Sequence, residues 1–349
     1  MGERLGGINL HLLKKLSEEI GVSGHEDLVR NLIRSEIDGL GEIEQDSIGN
    51  LYLKVGEGHP RVMISAHMDE IGFMVKHIDK KGFIRIELVG GWDPRVFPSQ
   101  RAILIDKNGE KLEGVVGSKP PHIQSRKEME KAFRISELFL DIGMSKEEVL
   151  ERIEIGCTGT LYSEFRDIGD FVVGKALDDR VGVLLLIELA KAIDVDFETN
   201  FVFTVQEEVG LRGAGVAAYR INPDIALVVE ATAAGDLPGV REEESPTSIG
   251  LGPAITIMDK RIIVSSEIFS FLKRVAEENN IDYQIKKPAY GGTDAGRIHI
   301  TRSGIPSGIV SVPTRYIHSP NQLVYKKDLE RTFELLKFSL EEIPSSGLY

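Results

Sequence analysis

Residues 174–210 read GKALDDRVGVLLLIELAKAIDVDFETNFVFTVQEEVG, and the order of elements inside this stretch decides the fold. Residues 180–193 are rich in Leu and Val and contain no proline, which predicts a buried helix. Residues 201–205 then form a continuous apolar run of strand length, as an interior strand requires, and the run closes on Gln206-Glu207-Glu208. An apolar helix leading into an apolar strand is the repeat of a layered α/β sheet. Downstream the rhythm continues, with a helix near 214–219, a strand at 225–229, a helix at 267–278, a strand at 309–312 and an amphipathic helix at 326–342. Upstream, Leu10, Leu13, Leu16 and Ile20 have helical spacing, with Gly21 expected as a left-handed cap. A second helix is predicted to open on a capping box, Ser23 with Glu26, and its apolar positions include Leu28, Leu32, Ile33 and Ile37. Strands follow at 51–55 and 62–66.

Between about Glu70 and Phe165 the pattern changes. Short β-like runs (IGFMVKHI, FIRIEL, RAILID, EGVVGS, GTLYSEF) alternate with Gly and Pro, and one short helix is expected at 146–152. This predicts a β-rich module inserted at 70–165 into a catalytic unit formed by 1–69 and 166–349. A chain of 349 residues is long enough for both cores.

Composition excludes several function classes. Forty-two Lys and Arg against fifty-five Asp and Glu give a net charge of −13, and no basic run is long enough to follow a phosphate backbone, so nucleic acid is not an expected partner. No stretch reaches the roughly 18 apolar residues of a membrane helix, and the N-terminal residues lack a signal-peptide core; a cytoplasmic protein without a membrane partner is expected. The single cysteine, Cys157, forms no intrachain disulfide and is expected to be a buried packing residue. Any bound metal therefore falls to His, Asp and Glu.

Five polar clusters carry the chemistry, four of them at or just past a strand end, where open α/β sheets place their sites. His67-Met68-Asp69 follows the strand at 62–66, with the two polar side chains on one face, so Asp69 can orient an imidazole whose other nitrogen binds metal. Asp178-Asp179 heads the apolar helix, where acids serve capping and metal ligation alike. Glu207 and Glu208 close an interior strand and would repel one another without a cation or a shared proton. Glu230 ends the strand at 225–229, and His318 follows the strand at 309–312. Each cluster alone has an ordinary structural explanation. Together His67, Asp178, Glu208, Glu230 and His318 supply two divalent ions with a histidine each, a carboxylate each and one bridging carboxylate. Glu207 is left free to act as general base on a water shared by the two ions.

With SGHED (23–27), SAHMDEIGFMV (65–75), GVVGSKPPH (114–122), GKALDDRVG (174–182), QEEVGLRGA (206–214), GDLPG (235–239), GGTDAG (291–296) and RYIHSP (315–320), the sequence resembles, end to end, the tetrahedral or deblocking aminopeptidases, also called glutamyl aminopeptidases. Some members of that family carry the name cellulase or endoglucanase. The resemblance implies a layered α/β/α metallopeptidase domain of the phosphorylase/hydrolase-like type, with an inserted PDZ-like β-barrel that helps build a homododecameric tetrahedron. It implies two divalent ions per subunit, zinc or cobalt: His67 and His318 hold one each, Asp178 bridges them, and Glu208 and Glu230 complete the two sets. Asp69 orients His67, Glu207 is the base, and the peptide between Asp178 and Asp179 is cis. The family more often has aspartate where this chain has Glu230, which bears on metal and substrate preference.

The expected activity is hydrolysis of the N-terminal residue from peptides. A deacylase of N-acylated amino acids would share the metal chemistry. An endoglucanase-type glycoside hydrolase would need two carboxylates across a sugar and leave both histidines unemployed, with Trp92 the only tryptophan for stacking. A non-enzymatic scaffold would show a missing ligand or base, and none is missing. The other histidines (His11, His25, His59, His77, His122 and His299) fall outside the proposed cluster.

Overall fold

The computed structural model describes residues 4–5, 7–288 and 291–349. Its main sheet runs in the order Arg166–Ile168, Phe171–Gly174, Gln322–Tyr325, Ser307–Arg315, Ile225–Ala233, Val62–His67, Thr199–Thr204, Leu51–Val55, Glu42–Gln45. Ala254–Thr256 branches from Ser307–Arg315 and carries Gln284–Lys286. The four strands from Ser307–Arg315 to Thr199–Thr204 are mutually parallel. Every residue of Val62–His67 and of Thr199–Thr204 is buried, as strands covered on both faces must be.

The helix Leu177–Ala192 lies across Val62–His67 and Ile225–Ala233, and against Leu10–Glu18, Asp27–Ile37 and Lys326–Ser346. Its residues from Leu177 to Ala190 are all buried, which is why its sequence is apolar around the whole circumference. A separate group, Arg212–Ile221 and Ala295–Ile298, packs on the same parallel strands and makes the third layer. No helix among the described residues is long and apolar enough to cross a membrane.

The segment after Glu70 forms a closed barrel in the order Phe139–Asp141, Ile84–Val89, Gly72–Ile78, Thr158–Leu161, Arg101–Ile105, Lys111–Gly117. It has a core of its own, built on Phe73, Val75, Ile86, Phe97, Leu104, Leu140 and Leu161. Strand Phe139–Asp141 and the short helix Arg126–Met129 leave no trace in the sequence pattern, since both are too short to show a period. Cys157 is half-buried against this core rather than fully buried.

Three local expectations are corrected. Gly21 is not a left-handed cap. The first helix ends at Glu18, and Gly21 is small because a Cβ there would meet Val29 Cγ1 at 2.6 Å and Arg180 Nη2 at 2.7 Å. Ser23 and Glu26 form no capping box: the second helix begins at Asp27 with no side-chain cap, and both side chains are committed elsewhere, as described below. Glu230 does not end its strand, which continues to Ala233.

The chain leaves and re-enters the α/β unit beside one buried ionic cluster. Lys175 Nζ donates to Glu70 Oε1 (2.8 Å), Glu70 Oε2 (2.9 Å) and the Glu19 carbonyl (3.0 Å). Arg180, fully buried, donates to the Leu16 and Glu19 carbonyls and lies 3.6 Å from Glu70 Oε1. The Glu70 carboxylate also accepts from Gly21 N at 3.0 Å. Losing one member of such a buried set costs about 3–5 kcal/mol, because the partner charge stays desolvated and unpaired.

Candidate metal centre

The parallel register brings the site together before any side-chain contact is considered. Thr204 pairs with His67, and Val228 pairs with Ser65, so Glu230 stands level with His67 on the neighbouring strand. Strands about 4.8 Å apart place such side chains within reach of one metal ion. Glu207 and Glu208 follow the end of Thr199–Thr204, and His318 follows the end of Ser307–Arg315. The carboxyl ends of parallel strands thus deliver four of the five expected ligands to one crevice.

Asp178 comes from the opposite side, at the head of the buried helix. The Asp178–Asp179 peptide is cis, and neither residue has helical dihedrals. Asp178 N donates to Gln322 Oε1 at 2.7 Å, so this aspartate is fixed from the last strand and does not serve as a helix cap.

The five side chains converge in two sets that share Asp178. His67 Nε2 lies 3.3 Å from Asp178 Oδ1 and 3.2 Å from Glu230 Oε1. His318 Nε2 lies 3.6 Å from Asp178 Oδ2 and 3.3 Å from Glu208 Oε1. Two donors bound to one tetrahedral ion at bond lengths of 2.0–2.1 Å sit about 3.3–3.4 Å apart, so these separations suit ligands around cations as well as direct pairs. Among the groups able to hold an ion, Asp179 also falls within 4.8 Å of His67 and Glu230, while Asp178 groups with His67 and Glu208. Asp178 fits the shared position better: its two oxygens face two different imidazoles, whereas Asp179 Oδ1 already accepts from Gly182 N at 3.1 Å. Asp179 Oδ2 is buried with no hydrogen-bond partner.

The electrostatics fit a cation-binding cluster. Burial raises the Glu230 carboxyl to about 8, opposed by His67 and reinforced by Asp178 and Asp294. Burial also raises Glu208, with His318 opposing it. For His318, burial lowers the imidazole pKa, but Glu208 and Asp178 outweigh it and bring the group to about 9. A set of desolvated acids sharing two imidazoles is what a divalent ion stabilises. Glu207 stands beside them; burial pushes its carboxyl well above the ordinary range, His67 opposes, and Glu230, Glu208 and Asp294 add to the rise. Its carboxylate makes no hydrogen bond or ion pair among the described residues.

Asp69 does more than the sequence suggested. The closer acceptor for His67 Nδ1 is the main-chain oxygen of Asp69 (3.1 Å), with the carboxylate at 3.5 Å. The two carboxylate oxygens accept from Glu207 N (3.0 Å) and Glu208 N (3.2 Å), and one of them also from Ser23 Oγ (2.5 Å). Glu26 Oε1 accepts from Gln206 N at 3.2 Å, and Gln206 has a positive φ of 57°. Ser23, Glu26 and Asp69 therefore brace the turn that presents Glu207 and Glu208. The SGHED motif held the signal for Ser23 and Glu26, but its spacing imitates a helix cap. His318, also at positive φ (59°), is oriented through Nδ1 by the Gly91 carbonyl (2.7 Å), a contact from the inserted barrel with no residue-type signature.

The pocket over this cluster has a volume of about 390 Å³; Asp178, Glu207, Glu208, Glu230 and His318 line it together with Lys286. Lys286 is 7% exposed, and burial lowers its pKa against the pull of Glu230, Asp259 and Asp178. His299 lies outside this pocket and lines the neighbouring one. Trp92 is half-buried in the barrel, packed edge-on to Phe97 at 4.9 Å.

The family model for M42 glutamyl aminopeptidases matches residues 49–335. The lysyl aminopeptidase of Pyrococcus furiosus is 33% identical over 348 residues, covering 96% of this chain and 98% of that protein. The solved aminopeptidase of Desulfurococcus kamchatkensis superposes with a TM-score of 0.91 at 37% identity, covering 95% and 94% of the two chains. The TET1 peptidase of Pyrococcus horikoshii, described as able to assemble into a tetrahedron or a large octahedral shell, gives 0.85 at 33% identity over 94% and 98%.

A ligand that binds only the folded chain stabilises it by RT ln(1 + [L]/Kd), about 2.7 kcal/mol at one hundred times Kd. Adding zinc or cobalt to chelator-stripped protein should therefore raise its melting temperature by several degrees, and Asp178→Asn should remove most of that rise. A stripped protein whose melting temperature is insensitive to either ion would show that the cluster binds no metal.

Proposed function

Because the chain belongs to the M42 glutamyl aminopeptidase family, we propose that it removes the N-terminal residue of peptides with the help of two divalent ions, zinc or cobalt. In this reading His67 and Glu230 hold one ion, His318 and Glu208 hold the other, and Asp178 serves both. The observation that carries it is the pair of histidine–carboxylate sets meeting at Asp178, with an uncommitted Glu207 beside them. Bound there, the ions would supply Lewis acidity, lowering the pKa of the attacking water and neutralising charge on the carbonyl oxygen. Glu207 takes a proton from that water as its oxygen bonds to the carbonyl carbon. The same carboxyl returns the proton to the amide nitrogen as the C–N bond breaks, so one group serves as base and then acid. Asp69 keeps Glu207 and Glu208 in register by holding both amides.

A glycoside hydrolase fits this geometry poorly. Its two carboxyl groups would flank a sugar, whereas these acids gather around two imidazoles, and Trp92 is packed in the barrel. A deacylase shares the chemistry and is separated by substrate: a free-amino peptide against its N-acetylated form.

Glu207→Gln should lower kcat by roughly 10²–10⁴-fold while metal content, read by atomic absorption, stays at the wild-type level. A variant that keeps more than a few per cent of activity would refute the assigned base.

Lys286 bears on the substrate side chain. A buried ammonium with no hydrogen bond or ion pair among the described residues lines the pocket in which the first residue must sit, and a substrate carboxylate would relieve its desolvation. Preference for acidic N-terminal residues follows. On aminoacyl p-nitroanilides, Lys286→Met should lower kcat/KM for glutamyl about tenfold or more relative to leucyl, a charge-assisted contact being worth about 1.5–3 kcal/mol. An equal fall for both would show that the lysine only supports the fold.

We further propose that the chain assembles as a twelve-subunit tetrahedron with the barrel at the contacts. Its likeness to the Pyrococcus horikoshii peptidase supports this, as do the exposed apolar Val115, Ile123, Met129, Leu150 and Ile155 on the inserted module. Sedimentation velocity should show a particle of twelve chains; a monomer at micromolar concentration would overturn the assembly.

A further inference from the structure

We propose that a second cavity, opening beside the metal-site pocket and lined by Lys260, Arg261, Arg297 and His299, receives the C-terminal carboxylate of short peptide substrates. This rests on the reading of the neighbouring pocket as the peptide-cleaving site. The cavity has a volume of about 340 Å³ and shares Gly210, Leu211 and Arg261 with that pocket.

Its charge is one-sided. Three cationic side chains and a histidine line it, and no Asp or Glu does. In a chain of net charge −13, Lys260, Arg261 and Arg297 nonetheless make no side-chain hydrogen bond or ion pair among the described residues. His299 Nδ1 is committed to the Ala295 carbonyl at 2.8 Å, which leaves Nε2 as its free ring nitrogen. Like charges gathered in a concavity repel one another and raise the local concentration of anions.

Arg261 is also seated rather than loose. A Cβ on Gly292 would stand 2.4 Å from Arg261 Cγ, and one on Gly296 would stand 2.3 Å from Arg261 Cβ. Neither glycine has a positive φ, so close approach of the arginine stem accounts for both. The turn carrying Lys260 and Arg261 is pinned to the same segment. Asp259 accepts from Arg261 N (2.6 Å), Ile262 N (3.0 Å) and Thr293 Oγ1 (3.2 Å), and Lys260 N donates to the Gly291 carbonyl (2.9 Å). The GGTDAG motif, which no ligand assignment uses, thus lines both cavities and packs against the stem of an arginine that the two cavities share. The planar guanidinium carried on that stem is suited to bidentate capture of a carboxylate. Every short peptide held by its amino end carries one such group at the other end, and an extended residue spans about 3.3–3.6 Å.

The test compares an unblocked tripeptide with its C-terminal amide. Calorimetry on the metal-replete Glu207→Gln protein reads Kd, and kcat/KM on the otherwise wild-type chain is taken with an aminoacyl p-nitroanilide as reference. The acid should bind and be cleaved about tenfold better than the amide, equivalent to 1.4 kcal/mol. Arg297→Gln and Lys260→Gln should each bring that ratio toward one. Inorganic phosphate should compete with the acid and not with the amide. Acid and amide handled alike, while the p-nitroanilide is turned over, overturns the carboxylate site and leaves the aminopeptidase reading intact; a Glu207→Gln protein that still cleaves overturns the base instead. Variants that lower all three substrates equally, or phosphate that alters the p-nitroanilide rate while acid and amide behave alike, also overturn the proposal, the latter by assigning the cavity to a free anion.

Discussion

The structure depends on keeping several carboxylates out of water in one place. Asp178, Asp179, Glu230 and Asp294 are buried, the first three of them within 4.8 Å of the His67 imidazole, and Glu207 and Glu208 complete the group. A desolvated acid costs several kcal/mol unless a cation, a proton or hydrogen-bond donors compensate it. Two histidines cannot neutralise so many acids, and no arginine pairs with any of them among the described residues. The cluster is therefore stable as a receptor for positive charge, and the surrounding architecture reads as the means of holding it.

Parallel strand ends do part of that work, and a second ring of carboxylates does the rest. Asp69 and Glu26 grip three successive amides, those of Gln206, Glu207 and Glu208. The turn would otherwise have little reason to stay in its left-handed conformation at Gln206, which costs a non-glycine residue of order 1 kcal/mol. Burial raises the Glu26 carboxyl to about 7, with the nearby Asp69 charge adding to the rise. Acids thus appear twice: once facing the cavity, and once behind it, accepting from the backbone that carries the first set.

Much of this was legible in the sequence because apolar burial leaves a one-dimensional trace. The helix and strand at 180–205 are covered on all sides and read as continuous apolar runs, so the polar residues that end them stood out. His67, Glu208 and His318 could be found this way. Glu230 could be found too, although its strand runs four residues further than expected, since the alanines at 231 and 233 carry little strand signal and the segment is held by pairing to Ser307–Arg315. What escaped were contacts made by atoms that every residue carries. The Gly91 carbonyl on His318 and the Asp69 carbonyl on His67 have no side-chain signature. Ser23 and Glu26 escaped for the opposite reason. Their spacing satisfies a local rule for helix capping, and tertiary bonds to Asp69 and Gln206 N override it.

The position of the barrel follows from the same constraint. It is inserted between Asp69, which braces the acidic turn, and Asp178, which lies between the two histidines. Both junctions must therefore be held in place although more than a hundred residues separate them. Glu70 and Lys175 sit at those two junctions and close on one another, with Arg180 and the Gly21 amide completing the pair. An ion pair in such a place adds little net stability compared with an apolar contact, since its desolvation offsets most of its attraction. It does, however, permit only one register, because any slip leaves a bare charge in the interior. The barrel then returns a contact to the site it interrupts: the Gly90-Gly91 loop reaches across to His318. Gly91 suits that task for a steric reason, since a Cβ there would stand 3.1 Å from His318 Nδ1. The inserted module thus belongs to the geometry of the candidate site as well as to any assembly it supports, since a main-chain oxygen of the loop after its second strand orients one histidine of the cluster.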